Sequence, residues 1–145
     1  MDITQAFTDL EESIKREVSY IANRSYSEGG TSLYDAIRYV SRDDTLIKDA
    51  IKSAVATVEQ SLYRFATNTS DNTNAYKFTV TDGRRASGNK TMLGKYIEDA
   101  VHKLSVARYL RLKGVEVEAQ KYEQGASADI LLIQKTIYSK SAPSM

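Results

Sequence analysis

Few residues in this chain have the type and spacing that catalysis or metal binding requires. His102 is the single histidine and the chain has no cysteine, which excludes disulfides, thiolate zinc sites and cysteine nucleophiles. The carboxylates of Asp43 and Asp44 could act as an acid–base pair, but N-terminal capping of the helical pattern that follows explains them. No serine–histidine–aspartate or Gly-x-Ser-x-Gly motif is present. The sequence therefore predicts a protein that is not an enzyme, without cofactor or metal.

The segment Asp82–Lys90, with the sequence DGRRASGNK, is the strongest candidate for a functional loop. A phosphate-binding loop requires lysine directly after the second glycine, whereas Asn89 separates Gly88 from Lys90 here. Two interpretations stay open: an exposed loop, or a basic loop that contacts a phosphate backbone or an acidic protein surface. The second interpretation makes three residues the candidate contact residues: Arg84, Arg85 and Lys90.

A strand is predicted directly before this loop. Tyr76, Phe78 and Val80 alternate with polar residues, as in a strand with one buried face. No second alternating run follows, so the partner is either a short irregular strand of the same chain or a strand of a neighbouring subunit. The second alternative makes Tyr76, Phe78 and Val80 candidate subunit-interface residues.

The remaining segments show helical periodicity. The clearest is Asp43–Thr67, in which apolar residues recur every three or four positions and form a stripe wide enough to need several neighbours. We expect this to be the central helix of the fold. The other predicted helices are Asp2–Ala22, Thr31–Val40, Thr91–Lys113 and Val115–Tyr138, and the polar run Ala66–Ala75 is predicted to be a loop.

Length and composition indicate the class of protein. The chain has 145 residues, 41% of them hydrophobic and 27% charged, which is enough for one domain with a core. The net charge of +1 argues against a dedicated nucleic-acid-binding or membrane-surface domain. We expect a mainly α fold, a bundle of about five helices around a central helix, with one short strand and an extended loop insertion. We expect residues 1–138 to form a single helical domain with the insertion at 67–90, and residues 139–145 to form a flexible tail.

The order of these segments resembles the head–tail connector (neck adaptor) proteins of tailed bacteriophages. The resemblance covers Ser32–Tyr138. It rests on a short helix SLYDAIRYV leading through RDD into LIKDAIKSAVATVEQSL, on the insert YKFTVTDGRRASGNK, and on a final pair, IEDAVHKLSVARYLRLKG and AQKYEQGASADILLIQKTIY. It is a likeness of pattern, and the helix before Ser32 and Gly125 within the last segment depart from it.

The resemblance implies a non-enzymatic structural virion protein. Its copies would form a ring below the portal through which DNA passes, and Arg84, Arg85 and Lys90 would lie in a loop that faces the portal or the DNA. The partners would be the portal and other neck or tail proteins, with non-specific contact with DNA in the lumen and no membrane. The protein would be made in the host cytoplasm and located in the virion neck. The alternatives are a soluble helical protein-interaction module, a DNA-binding protein with a basic helix face and, least favoured, a carboxylate-dependent enzyme.

Overall fold

A computed structural model of the chain describes residues 2–29, 31–62, 66–68, 75–80 and 90–138. These ranges contain five α-helices, one 3-10 helix at Ser41–Asp43 and a three-stranded antiparallel sheet. The elements in chain order are β1 (Asp2–Ala6), α1 (Phe7–Gly29), α2 (Thr31–Ile37), α3 (Asp44–Ser61), β2 (Ala66–Asn68), β3 (Ala75–Val80), α4 (Lys90–Leu112) and α5 (Glu116–Tyr138). The expectation of a mainly α fold with about five helices is confirmed.

The first predicted helix is wrong at both ends. Its first five residues form β1, where Ile3 lies opposite Phe78 of β3, and the helix begins at Phe7. An apolar residue at position 3 fits a helical and a strand pattern equally well, so pairing with a distant strand decides between them. α1 then continues to Gly29 through residues expected to form a turn, and Ser25 within that stretch is buried. Tertiary packing has overridden local turn propensity there.

The apolar stripe of α3 is buried as predicted. Six residues of the helix and Leu62 directly after it are no more than 1% exposed: Ile47, Ala50, Ile51, Ala54, Val55, Val58 and Leu62. The helix is shorter than expected because it ends at Ser61, and the polar segment after it contains β2 instead of loop alone. The periodicity of the sequence therefore identified the buried face correctly and the end of the helix incorrectly.

The most enclosed helix is α4, not α3. It packs most extensively against α5, then against α3, and it also contacts α1. Four consecutive residues from Leu104 to Ala107 are buried, which no helix with a single covered face can achieve. The bundle is therefore built around α4, with α3 as one of its neighbours.

The sheet answers the question that the sequence left open about the predicted strand. β3 lies between β1 and β2, so its partners belong to the same chain. It pairs with β1 over Ala75–Thr79 and with β2 over Phe78–Val80. Asn68, the last residue of β2, extends the hydrogen bonding to β3 through its side chain, because its Oδ1 accepts a hydrogen bond from the Lys77 N–H at 3.1 Å.

The turn between α4 and α5 depends on Gly114, the residue predicted to end the helix. Gly114 has φ +82°, and the Val115 N–H donates to the Leu110 carbonyl at 2.8 Å. This is the left-handed C-terminal cap that favours glycine. Gly125, in contrast, does not interrupt α5. A Cβ there would lie 3.2 Å from Lys103 Cδ, so the missing side chain makes room for Lys103 to cross the helix.

Two glycine-to-alanine substitutions are expected to have opposite effects on stability. Gly114→Ala should lower the free energy of unfolding by about 1–2 kcal/mol, because alanine is strained at positive φ. Gly94→Ala should raise it by up to about 1 kcal/mol, because Gly94 is helical and a Cβ would make an ordinary 3.8 Å contact with Ile3. Urea denaturation followed by circular dichroism measures both, and equal signs would contradict the backbone conformation described for Gly114.

Candidate functional site

The candidate interface residues of the strand lie inside the chain. Tyr76 and Phe78 are 0% exposed, and their rings meet edge to face with centroids 5.6 Å apart. The Tyr76 hydroxyl donates to Gln5 Oε1 at 2.8 Å, and burial raises the pKa of the Tyr76 phenol. Val80 pairs with Ala66, and its side chain lies outside the described residues. The two aromatic side chains thus serve the core of their own subunit and present no surface to another.

The candidate loop Asp82–Lys90 lies outside the described residues except for the backbone of Lys90. Arg84 and Arg85 lie outside the described residues. Lys90 is the first residue of α4, and its side chain is likewise not described. A portal- or DNA-facing role for these three residues stays a prediction.

The acidic pair at the start of α3 does not cap that helix through its side chains. Asp43 occupies the N-cap position without a side-chain capping hydrogen bond. Its Oδ2 instead accepts three hydrogen bonds: from the Val40 N–H at 3.1 Å, from Lys113 Nζ at 2.9 Å and from the Tyr109 hydroxyl at 3.3 Å. Asp43 therefore joins the 3-10 helix to the end of α4, and the capping interpretation was wrong for this side chain.

The network around Asp43 is a buried ion pair. The Asp43 side chain is 5% exposed and that of Lys113 is 14% exposed. Burial alone would raise the pKa of the Asp43 carboxyl, but the hydrogen bonds from Lys113 and the Val40 N–H hold it below its ordinary value. Burial, together with the Asp43 charge, raises the pKa of Tyr109. Three hydrogen bonds from the chain's own groups to one carboxylate oxygen indicate a structural role.

Asp44 belongs to a separate cluster at the surface. It accepts a short hydrogen bond from the Tyr39 hydroxyl, and its Oδ1 lies 3.5 Å from Lys15 Nζ. The same ammonium lies 4.6 Å from the centroid of the Tyr39 ring. These contacts fasten the segment that follows α2 to α1 and α3, so both aspartates connect elements of the fold.

The single histidine forms a contact that the sequence did not suggest. His102 Nδ1 on α4 lies 3.2 Å from the hydroxyl of Ser13 on α1. A serine–histidine pair can act as nucleophile and base, but an acyl-transfer site also needs free N–H donors for the oxyanion. Ser13 lies well inside α1, where backbone N–H groups are bonded to the preceding turn. The pair therefore fits a contact between helices and lacks that part of a catalytic site.

Acidification is expected to destabilise the protein through His102. Burial lowers the pKa of this imidazole in the folded state, although the charges of Glu17 and Asp99 act in the opposite direction. The unfolded chain then binds more protons, so stability is lost as pH falls below about 6.5. Urea denaturation between pH 7.5 and pH 5 should show this slope, and His102→Gln should flatten it. An unchanged slope in His102→Gln would contradict the assignment of this pH dependence to His102. Asp43 does not interfere, because its carboxyl has a lowered pKa and loses its contribution to stability only at lower pH.

A cleft of about 250 Å³ lies between α1, α4 and α5. Its lining residues are Arg24, Lys103, Glu118, Lys121, Tyr122 and Gly125. Three cations here could indicate an anion site. However, Glu118 pairs with Arg24 at 3.0 Å and with Lys121 at 3.3 Å, and Lys103 pairs with Asp129 at 2.8 Å. Because each cation already has a carboxylate partner, the cleft has little excess positive charge to bind an anion.

Six large apolar side chains are exposed on the described surface, and two of them, Leu112 at the end of α4 and Val117 at the start of α5, lie at the turn between these helices. The other four form two separate groups. The tyrosine site consists of Tyr20 and Tyr26 on α1, which are 62% and 55% exposed. The leucine site consists of Leu131 and Leu132 on α5, which are 51% and 42% exposed. The Arg24–Glu118 ion pair fixes the tyrosine end of α1 beside the start of α5. The leucine site lies about 20 Å further along α5, at about 1.5 Å per residue.

Other kinds of site find no support in the described ranges. No three histidine, aspartate or glutamate side chains there converge as a metal site would require. Within the same ranges, no helix is both long enough and apolar enough to cross a bilayer. The chain matches no protein-family model, no curated protein and no solved structure.

Proposed function

We propose that this chain is a non-enzymatic subunit of a head–tail connector, the ring below the portal of a tailed bacteriophage. Its partners would be further copies of itself, the portal, and other neck or tail proteins. DNA would pass through the lumen with non-specific contacts only. The protein would be made in the host cytoplasm and act in the neck of the virion. The pattern of Ser32–Tyr138 motivates this proposal.

The observation that supports it best is the pair of unlike apolar sites. A ring is held together by head-to-tail contacts, in which each subunit presents two different surfaces to its two neighbours. The tyrosine site and the leucine site differ in chemistry and lie about 20 Å apart along the bundle. Exposed tyrosine is typical of contact surfaces. The net charge of +1 agrees with a lumen that lets DNA slide instead of holding it.

A free-standing helical interaction module is the second candidate. It is favoured by the pairing of β3 within the chain, because a strand with two internal neighbours needs no second subunit. The two candidates differ in what the apolar sites contact. The connector uses them for copies of itself, and the module uses one of them for another protein.

Assembly is expected to depend on the leucine site. Leu131→Glu should abolish rings, because it places a charge in a subunit contact, and it should leave the circular dichroism spectrum unchanged because Leu131 is half exposed. Sedimentation velocity over a wide concentration range, with negative-stain images, measures assembly. Gln124→Glu introduces the same charge at another exposed position of α5 and should assemble normally. A wild-type chain that stays monomeric throughout would contradict self-assembly and favour the interaction module.

A further inference from the structure

The two outer strands of the sheet, β1 and β2, differ in whether another part of the chain occupies the hydrogen-bonding positions of their outer edges. On the β2 side, the Asn68 N–H donates to Glu59 Oε2 of α3 at 2.7 Å. A side chain from the bundle thus occupies the hydrogen-bonding position that another strand would need. This edge of the sheet is therefore blocked against pairing with a further strand, as sheet edges in natural proteins commonly are.

The direction of the β3 backbone groups shows which groups of β1 face outward. The Lys77 N–H points towards β2, because it donates to the Asn68 side chain. In a strand, successive residues direct their N–H and C=O groups to opposite sides. The groups of Tyr76 and Phe78 therefore face β1, where their partners are Gln5 and Ile3.

The alternate residues of β1 consequently direct their backbone groups away from the sheet. Thr4, at the middle of the strand, is the principal one, and its side chain is exposed. Among the described residues none donates to or accepts from this outward edge. The strand carries no lysine, arginine or proline, the residues that most often protect an edge.

We propose that the outward edge of β1 pairs with β1 of a second copy of this chain. The two strands would run antiparallel about a two-fold axis at Thr4 and join two three-stranded sheets into one of six strands. The register would place Thr4 opposite Thr4, and Asp2 opposite Ala6 of the other copy. This contact uses neither the tyrosine site nor the leucine site, so it is independent of the connector proposal.

Charge and geometry both favour a second copy as the occupant. In the proposed register the Asp2 backbone lies opposite Ala6, the residue directly before α1 of the other copy, and an acidic residue type is favourable near the start of a helix. The two Asp2 residues lie at opposite ends of the pairing, about 13 Å apart at about 3.3 Å per residue, which limits their repulsion. Because the strands are antiparallel, the two α1 helices leave at opposite ends.

A single-cysteine variant tests the register directly, because the chain has no cysteine of its own. Opposed residues of a hydrogen-bonded antiparallel pair have Cα atoms about 5.5 Å apart, within the range that a disulfide spans. Thr4→Cys should therefore form a covalent dimer under mild oxidation, seen on a non-reducing gel. Ser53→Cys, exposed on α3, is the matched control and should cross-link at least tenfold more slowly. Equal rates for the two variants would overturn the proposal.

A charge at the same position provides a second, independent measurement. Thr4→Lys would place two ammonium groups directly across the two-fold axis, which disfavours pairing, whereas Thr4→Val keeps a strand-forming residue without charge. Sedimentation at a fixed concentration should show dimer for Thr4→Val and monomer for Thr4→Lys. Circular dichroism should show both variants folded, because position 4 is exposed. Equal dimer fractions would overturn the proposal, whatever ring formation shows.

Discussion

Replacing Asp43 with alanine is expected to lower the free energy of unfolding by about 3–5 kcal/mol. The substitution leaves the Lys113 ammonium, which is 14% exposed, without its carboxylate partner. It also removes the acceptor for the Val40 N–H and the Tyr109 hydroxyl. An uncompensated buried charge is among the costliest results of a single substitution. Because small domains have about 5–15 kcal/mol of stability in total, this loss would bring the chain close to unfolding at room temperature.

Two further variants separate the buried ion pair from other causes. Asp44→Ala removes the neighbouring carboxylate, which is 56% exposed, and should cost much less than Asp43→Ala. The double variant Asp43→Asn with Lys113→Met removes both charges and should recover part of the loss, because neither charge is then left buried alone. Urea denaturation followed by circular dichroism measures all of them. If Asp43→Ala were as mild as Asp44→Ala, the network would be open to water and not buried.

The Asp43 network shows where prediction from the sequence ends. Two aspartates before a helical pattern fit the N-cap preference, which is a local rule. The actual partner, Lys113, is 70 residues away, and no local pattern encodes that distance. The contact between Ser13 and His102 spans 89 residues and was unpredictable for the same reason.

The sequence predicted the buried face of α3 correctly, but it did not identify α4 as the central helix. The stripe of α3 repeats every three or four residues because one face packs on the core while the other meets solvent. The periodicity of the sequence predicted α4 to within one residue at each end, but α4 is buried on several sides and its broad apolar face did not mark it as the central helix. The pattern of α3 was therefore the clearest in the sequence, although α4 is the helix around which the bundle packs.

The predicted strand illustrates the same limit for function. The alternation of Tyr76 and Phe78 with polar residues correctly indicated a strand with one buried face. Alternation does not reveal whose core covers that face. The missing partner was β1, which is part of the segment assigned to the first helix, and the apparent lack of a second strand suggested a neighbouring subunit. One misassigned segment near the start of the chain thus produced the interface hypothesis.

Phe78→Ala tests this revised position and is expected to cost about 3–5 kcal/mol of stability. The ring is 0% exposed and lies against Tyr76 within the core shared by the sheet and the helices, so its removal leaves a cavity. Lys77→Ala, one residue earlier and exposed, is the matched control and should change stability by about 0.5 kcal/mol or less.

The measurement is urea denaturation of the monomer at low protein concentration, where subunit contacts make no contribution. A large loss of stability in the monomer places Phe78 in the core of its own chain, because a monomer has no subunit contact that the substitution could remove. Unchanged monomer stability combined with weaker assembly at high concentration would instead return the strand to the subunit interface. The comparison therefore separates the two positions of the strand without requiring that the oligomer, or its partners, be known.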